Sequence, residues 1–148
     1  MSAKAEGLCR AIGVSNYEVR HLDEMVVYAR EMPATNQIEC HPAFRQDALR
    51  ARCAQLGCVV QAYSPLGTGE LLEDRHVRAA ARLCNCTTAQ VLLAWGLARG
   101  CVVLPRSADE GRIEENAKAE TVVLTEEAEG ELARVAPRKF CWDPSGVA

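Results

Sequence analysis

TNQIECHPAFRQDALRARCAQLGCVVQAY, running from Thr35 to Tyr63, decides the fold. Thr35 to Glu39 has the length and β-branched character of a strand, and His41-Pro42 marks its end. Leu49, Cys53 and Leu56 then recur at helical spacing, and Gly57 supplies the stop. Cys58 to Tyr63 reads as a second strand. Two strands joined through a helix pair in parallel, because a hairpin cannot reach a parallel neighbour.

The same alternation extends in both directions. Upstream, Ala11-Ile12-Gly13-Val14 reads as a strand, followed by a helix on which Val19, Leu22, Met25, Val26 and Ala29 share a face. Ser15-x-x-Glu18 offers that helix a capping box. Downstream, helices are expected over 74–84 and 88–99, the second opened by Thr87-x-x-Gln90 and carrying Val91, Leu92 and Trp95 as core. Cys101 to Leu104 is the fourth strand. Asp109 to Lys118 and Glu126 to Val135 read as helices, and residues 136–148 as an irregular tail. The class is α/β with parallel β/α units, which leaves an open doubly wound sheet and a (β/α)8 barrel in competition; both place chemistry at strand carboxyl ends. No G-x-G-x-x-G follows the first strand, where the turn is Gly13-Val14-Ser15-Asn16. Gly67-Thr68-Gly69-Glu70 holds only two of the glycines and reads as a flexible loop.

Composition narrows the function. The 148 residues fit one domain, and 49% apolar with 25% charged residues is a folded, globular balance. Seventeen Lys and Arg against twenty Asp and Glu give a net charge of -3, which supplies no basic surface for nucleic acid. No apolar run approaches the roughly 20 residues of a membrane span. The opening MSAKAEGLCR lacks the apolar core of a secretory signal, so a cytoplasmic location and reduced thiols are expected. The eight cysteines form no C-x-x-C pair, Cys84-Asn85-Cys86 being the nearest approach, and with three dispersed histidines they suggest packing and no metal site. His41 reads as a structural histidine, and the acidic run Glu126, Glu127, Glu129, Glu131, like Glu114, as a solvated helix face.

The carboxyl ends of the four strands collect Ser15-Asn16, then Gln37 with Glu39-Cys40-His41-Pro42, then Tyr63-Ser64-Pro65-Leu66-Gly67, then Pro105-Arg106-Ser107. Such a rim can hold a carboxamide through Ser, Asn and Gln, stack a ring on Tyr63 and offer loop amides to a diphosphate. Arg106, Ser107 and Arg112, with Glu115 and Asn116 one turn further, add cationic forks at a helix N-terminus, where phosphate is favoured. A nicotinamide dinucleotide has all of these parts.

GVSNY, NQIECHP, AYSPLG, LPRS and RIEEN, in this order and spacing, closely resemble the aldo-keto reductase family from about Arg10 to Arg134. The resemblance implies a (β/α)8 barrel that reduces aldehydes or ketones with NADPH. It implies that Ser15, Asn16 and Gln37 hold the nicotinamide carboxamide, that Tyr63 stacks on its ring, and that Ser64 and Leu66 line the diphosphate. Arg106, Ser107 and Arg112 would take the 2′-phosphate, with Arg at 106 where the family more often has Lys, and Glu115 and Asn116 the adenine. Trp142 becomes a candidate for substrate contact, since the family's C-terminal loop shapes that pocket.

The blocks present correspond to strands five to eight of the family's barrel, so residues 1–148 are expected to form its C-terminal half. The family's catalytic Asp, Tyr, Lys and His belong to the other half, and no residue here inherits those roles. Three readings follow: the cofactor-binding half of a carbonyl reductase, a non-catalytic nucleotide-binding or regulatory module, and an incomplete gene product. The isolated chain is expected to be inactive and to self-associate or pair with an N-terminal half, because half a barrel leaves two strand edges and an inner face uncovered.

Overall fold

Gly13↔Thr35, Thr35↔Val59 and Gln61↔Val102 are aligned across a wholly parallel sheet in the order β1-β2-β3-β4, comprising Gly13–Ser15, Thr35–Glu39, Val59–Tyr63 and Val102–Leu104. The computed structural model describes residues 3–143 and Gly146. Strand order follows chain order without reversal. Right-handed crossovers then place the helices that connect the strands on one side of the sheet, as in a barrel and unlike the doubly wound alternative.

The helices are α1 (Val19–Tyr28), α2 (Asp47–Gln55), α3 (Arg75–Leu83), α4 (Thr88–Leu97), α5 (Glu110–Ala117) and α6 (Glu126–Leu132). Ile38, Val60 and Ala62 project from the strands into one core with Leu22 of α1, Leu49 and Cys53 of α2, Val77 and Ala80 of α3, and Val91, Leu92 and Trp95 of α4. Helix α4 is buried through Val91 to Gly96. A Cβ at Gly96 would lie 2.6 Å from Val103 Cγ1, so glycine lets α4 approach β4. The alternate residues Val59, Val102 and Leu104 face the opposite side and are exposed.

Thr87 and Gln90 form the expected box at α4: Gln90 N–H donates to Thr87 Oγ1 at 3.2 Å, and Thr87 N–H to Gln90 Oε1 at 3.1 Å. The box at α1 is shifted from Ser15/Glu18 to Glu18/His21, with Glu18 N–H donating to His21 Nδ1 at 3.0 Å. Ser15 is unavailable because it still pairs in β1, its hydroxyl donating to Gln37 O at 3.0 Å. At the expected loop, Gly67–Glu73 holds two 3-10 turns joined across a kink, where Thr68 and Gly69 are left-handed at φ 56° and 95°.

The acidic face of α6 also departs from expectation, since only Glu126 and Glu127 are fully exposed. Glu129 accepts both Arg99 Nη groups at 3.0 and 2.7 Å while that guanidinium lies 4.2 Å over Trp95. Glu131 accepts from His76 Nδ1 at 2.7 Å, which holds its carboxyl below the ordinary carboxylate range. These pairs tie α6 to α3 and α4 where the sequence suggested only solvation.

Cys40, Cys53, Cys58 and Cys101 are buried, and all eight thiols are free. Burial pushes Cys58 and Cys86 each up to about 11, which keeps them protonated and unreactive. Among the described residues no group of three or more His, Cys, Asp and Glu is placed to hold a metal, and no helix is long and apolar enough to cross a membrane. Within the expected tail, 136–143 contain no helix or strand; Pro144, Ser145, Val147 and Ala148 lie outside the described residues.

Candidate functional site

Parallel strands end together, so their carboxyl ends bring together groups that are far apart in sequence. Asn16 follows β1 with φ 59°, and its N–H donates to Gln37 O at 2.9 Å. Tyr63 ends β3, and its hydroxyl donates to Asn16 Oδ1 at 2.9 Å. Gln37 Nε2 donates to Gln61 Oε1 at 3.0 Å. Ser15, Asn16, Gln37 and Tyr63 thus form one hydrogen-bonded cluster. Burial pushes the Tyr63 phenol above its ordinary value, which keeps it a neutral donor.

Ser64 follows with φ 47°, a left-handed conformation that a non-glycine residue adopts at a cost of roughly 1 kcal/mol or more. Its Oγ lies 3.3 Å from Cys141 Sγ, so the tail returns to this edge. Leu66 is half-buried against the core, and Leu66 O accepts Gly69 N–H at 3.0 Å in the first 3-10 turn.

Beyond β4, Arg106 and Arg112 are exposed, and neither guanidinium makes an ion pair among the described residues. Ser107 Oγ accepts Asp109 N–H at 3.1 Å, and Asp109 Oδ1 accepts Arg112 N–H at 2.8 Å. A carboxylate caps α5, so the positive charge at this helix end comes from the arginine side chains. Glu115 is also engaged, accepting the Thr87 hydroxyl at 2.7 Å, while Asn116 beside it is half-buried.

Trp142 is 57% exposed. Tyr28 is exposed, and Tyr17 stands edge-on to His21 at 5.5 Å, so neither joins the cluster. The residue whose role the sequence does not reveal is Glu39. Its carboxylate is buried at the end of β2 and accepts Phe140 N–H at 2.6 Å, Cys141 N–H at 3.1 Å and His41 Nε2–H at 3.0 Å. Its place in the rim block is the only sequence signal, because the donors lie about a hundred residues away.

The profile of the Aldo/keto reductase family matches residues 1–136, and the chain belongs to that family. It is similar to an aldo-keto reductase of Mycolicibacterium vanbaalenii, with 47% identity over 116 residues that cover 78% of this chain and 42% of that protein. It is also 45% identical over 118 residues to glycerol 2-dehydrogenase (NADP(+)) of Hypocrea jecorina, covering 74% of this chain and 37% of that one. A solved aldose reductase from Giardia lamblia superposes with a TM-score of 0.88 at 34% identity, over 96% of this chain and 50% of that one. The chain therefore spans about half the length of the proteins it matches, and its four β/α units correspond to half of such a structure.

Proposed function

We propose that this chain binds NADPH along the carboxyl edge of its sheet and forms the cofactor-binding half of a reductase that converts aldehydes or ketones to alcohols. The carrying observation is the hydrogen-bond capacity left over in the cluster. Asn16 spends its carbonyl oxygen on Tyr63 and keeps its NH2. Gln37 spends one N–H on Gln61 and keeps the other and its carbonyl oxygen, and Ser15 donates its proton to Gln37 O and keeps its lone pairs. N–H donors on Asn16 and Gln37 and acceptor oxygens on Gln37 and Ser15 remain, the kinds of partner needed by a carboxamide, which has one acceptor oxygen and two N–H donors.

A nicotinamide held there supplies a hydride for carbonyl reduction. Tyr63 offers a ring to stack on, and Ser64 and Leu66 flank the diphosphate path. The unpaired Arg106 and Arg112, with Ser107, suit a 2′-phosphate, and Glu115 and Asn116 stand where an adenine follows. The name of the Hypocrea relative supports NADP as the cofactor. Trp142 is carried as a substrate contact and the cytoplasm as the location.

The bare sheet face takes a second (β/α)4 unit, either another copy of this chain or an N-terminal half. Turnover needs that unit, because the Tyr63 hydroxyl is committed to Asn16 and no other tyrosine reaches the cluster. The test is calorimetric titration with NADPH and NADH. NADPH is expected to bind more tightly, by about tenfold or more, with the difference reduced in Arg106→Ala. Equal affinities, unmoved by that substitution, remove the assignment. Carbonyl-dependent NADPH oxidation by the chain alone overturns the requirement for a second unit. Binding without turnover even when an N-terminal half is supplied identifies a non-catalytic nucleotide-binding module.

A further inference from the structure

After α6 the chain runs back over the carboxyl edge, fastened at three backbone points. Arg138 N–H donates to Ala43 O at 2.9 Å, and the amides of Phe140 and Cys141 donate to the two oxygens of Glu39 at 2.6 and 3.1 Å. His41, also buried, supplies the third hydrogen bond to that carboxylate. His41 Nδ1 has no partner among the described residues. The ring directs Nε2 at Glu39, and burial lowers the His41 pKa below its ordinary value against the pull of that carboxylate. The His41 ring meets the Phe140 ring edge-on at 5.2 Å. A Cβ at Gly67 would lie 2.8 Å from Phe140 Cε2, so that glycine makes room for the strap.

A buried carboxylate is a costly way to stabilise a fold, since apolar packing of similar volume does as well or better. What it does supply is two acceptor oxygens for two adjacent amides, a match that a neutral Gln cannot make without aiming its NH2 at one donor. Glu39 is paired in register with Tyr63, and the strap it holds brings Cys141 Sγ to 3.3 Å from Ser64 Oγ.

We propose that Glu39 is a positioning residue: its carboxylate, oriented by His41, fastens Phe140 and Cys141 so that Cys141 and Trp142 wall the nicotinamide site beside Tyr63 and Ser64. The ligand's identity rests on the function proposed above; the fastening does not. The test uses the 148-residue chain with Glu39→Gln and, because a change at a buried carboxylate can unfold the protein, with Cys141→Pro, which removes one donor and leaves the buried pair intact.

Amide hydrogen exchange at Phe140 is expected to quicken about tenfold or more in both variants while α3 and α4 keep their protection. NADPH affinity is expected to fall about tenfold in both. Exchange that quickens equally throughout the chain makes Glu39 merely structural and overturns the proposal, as does a strap that loosens while NADPH affinity stays within twofold of wild type. If wild type binds no NADPH, the cofactor reading fails and with it the positioning role, whereas exchange at Phe140 still reports on the fastening by itself.

Discussion

On one side of the four strands Ile38, Val60 and Ala62 lie beneath Trp95, Leu92 and Val91; on the other, Val59, Val102 and Leu104 meet solvent. The two sets alternate along the same strands, so composition and strand propensity are shared and only the covering differs. The covered side holds a complete core. The bare side carries Gln37, Gln61 and Tyr63 among its apolar residues and leads to the carboxyl-edge cluster. Stability within the single chain thus resides on one face, while the assembly and ligand binding proposed above draw on the other.

The largest test of that division is a pair of truncations. Trp95→Ala should cost about 3–5 kcal/mol in urea unfolding, because a fully buried indole and its contacts are lost. Leu104→Ser, at an exposed position of β4, should change monomer stability by less than about 0.5 kcal/mol. A comparable loss at both positions would show that the bare face is already buried in solution, and sedimentation would then show the partner. Smaller, and confined to the covered side, is Gly96→Ala. The added methyl meets Val103 Cγ1, and overpacking of this kind costs about 1–3 kcal/mol, offset in part by the roughly 1 kcal/mol by which Ala exceeds Gly in a helix. Unchanged or raised stability would mean that α4 can withdraw from β4 freely.

The least abrupt effect concerns pH. Burial lowers the His41 pKa from its ordinary 6.5 despite the pull of Glu39, so between the two values the unfolded chain binds a proton that the folded chain does not. Stability contributed by the neutral imidazole is complete above about pH 6.5 and is lost as pH falls from there toward the depressed folded value. Urea midpoints measured from pH 7.5 to 5 should decline, and His41→Gln should flatten the slope. A decline unaltered in that variant would place the responsible group elsewhere.

Much of this was readable from local chemistry. Thr35–Glu39 is a strand with the bounds its β-branched pattern predicts, and Gly57 stops α2 with φ 68°. The rim blocks were legible because parallel pairing brings strand ends together whatever the loops between them do. What escaped depends on partners distant in sequence. Ser15-x-x-Glu18 satisfies a local capping rule, yet pairing with Gln37 keeps Ser15 in the sheet. Glu129 and Glu131 look solvated until Arg99 and His76 arrive from neighbouring helices. Glu39 finds its donors in a tail of no regular structure, for which periodicity offers no guide.

The unreversed strand order has a kinetic consequence. Each strand pairs only with the units before and after it, so folding can nucleate on β2-α2-β3, where the strands are longest, and spread outward one unit at a time. Among the described residues β1 and β4 are the sheet's edges, and both are templates onto which a further unit can be added without rearranging those already in place.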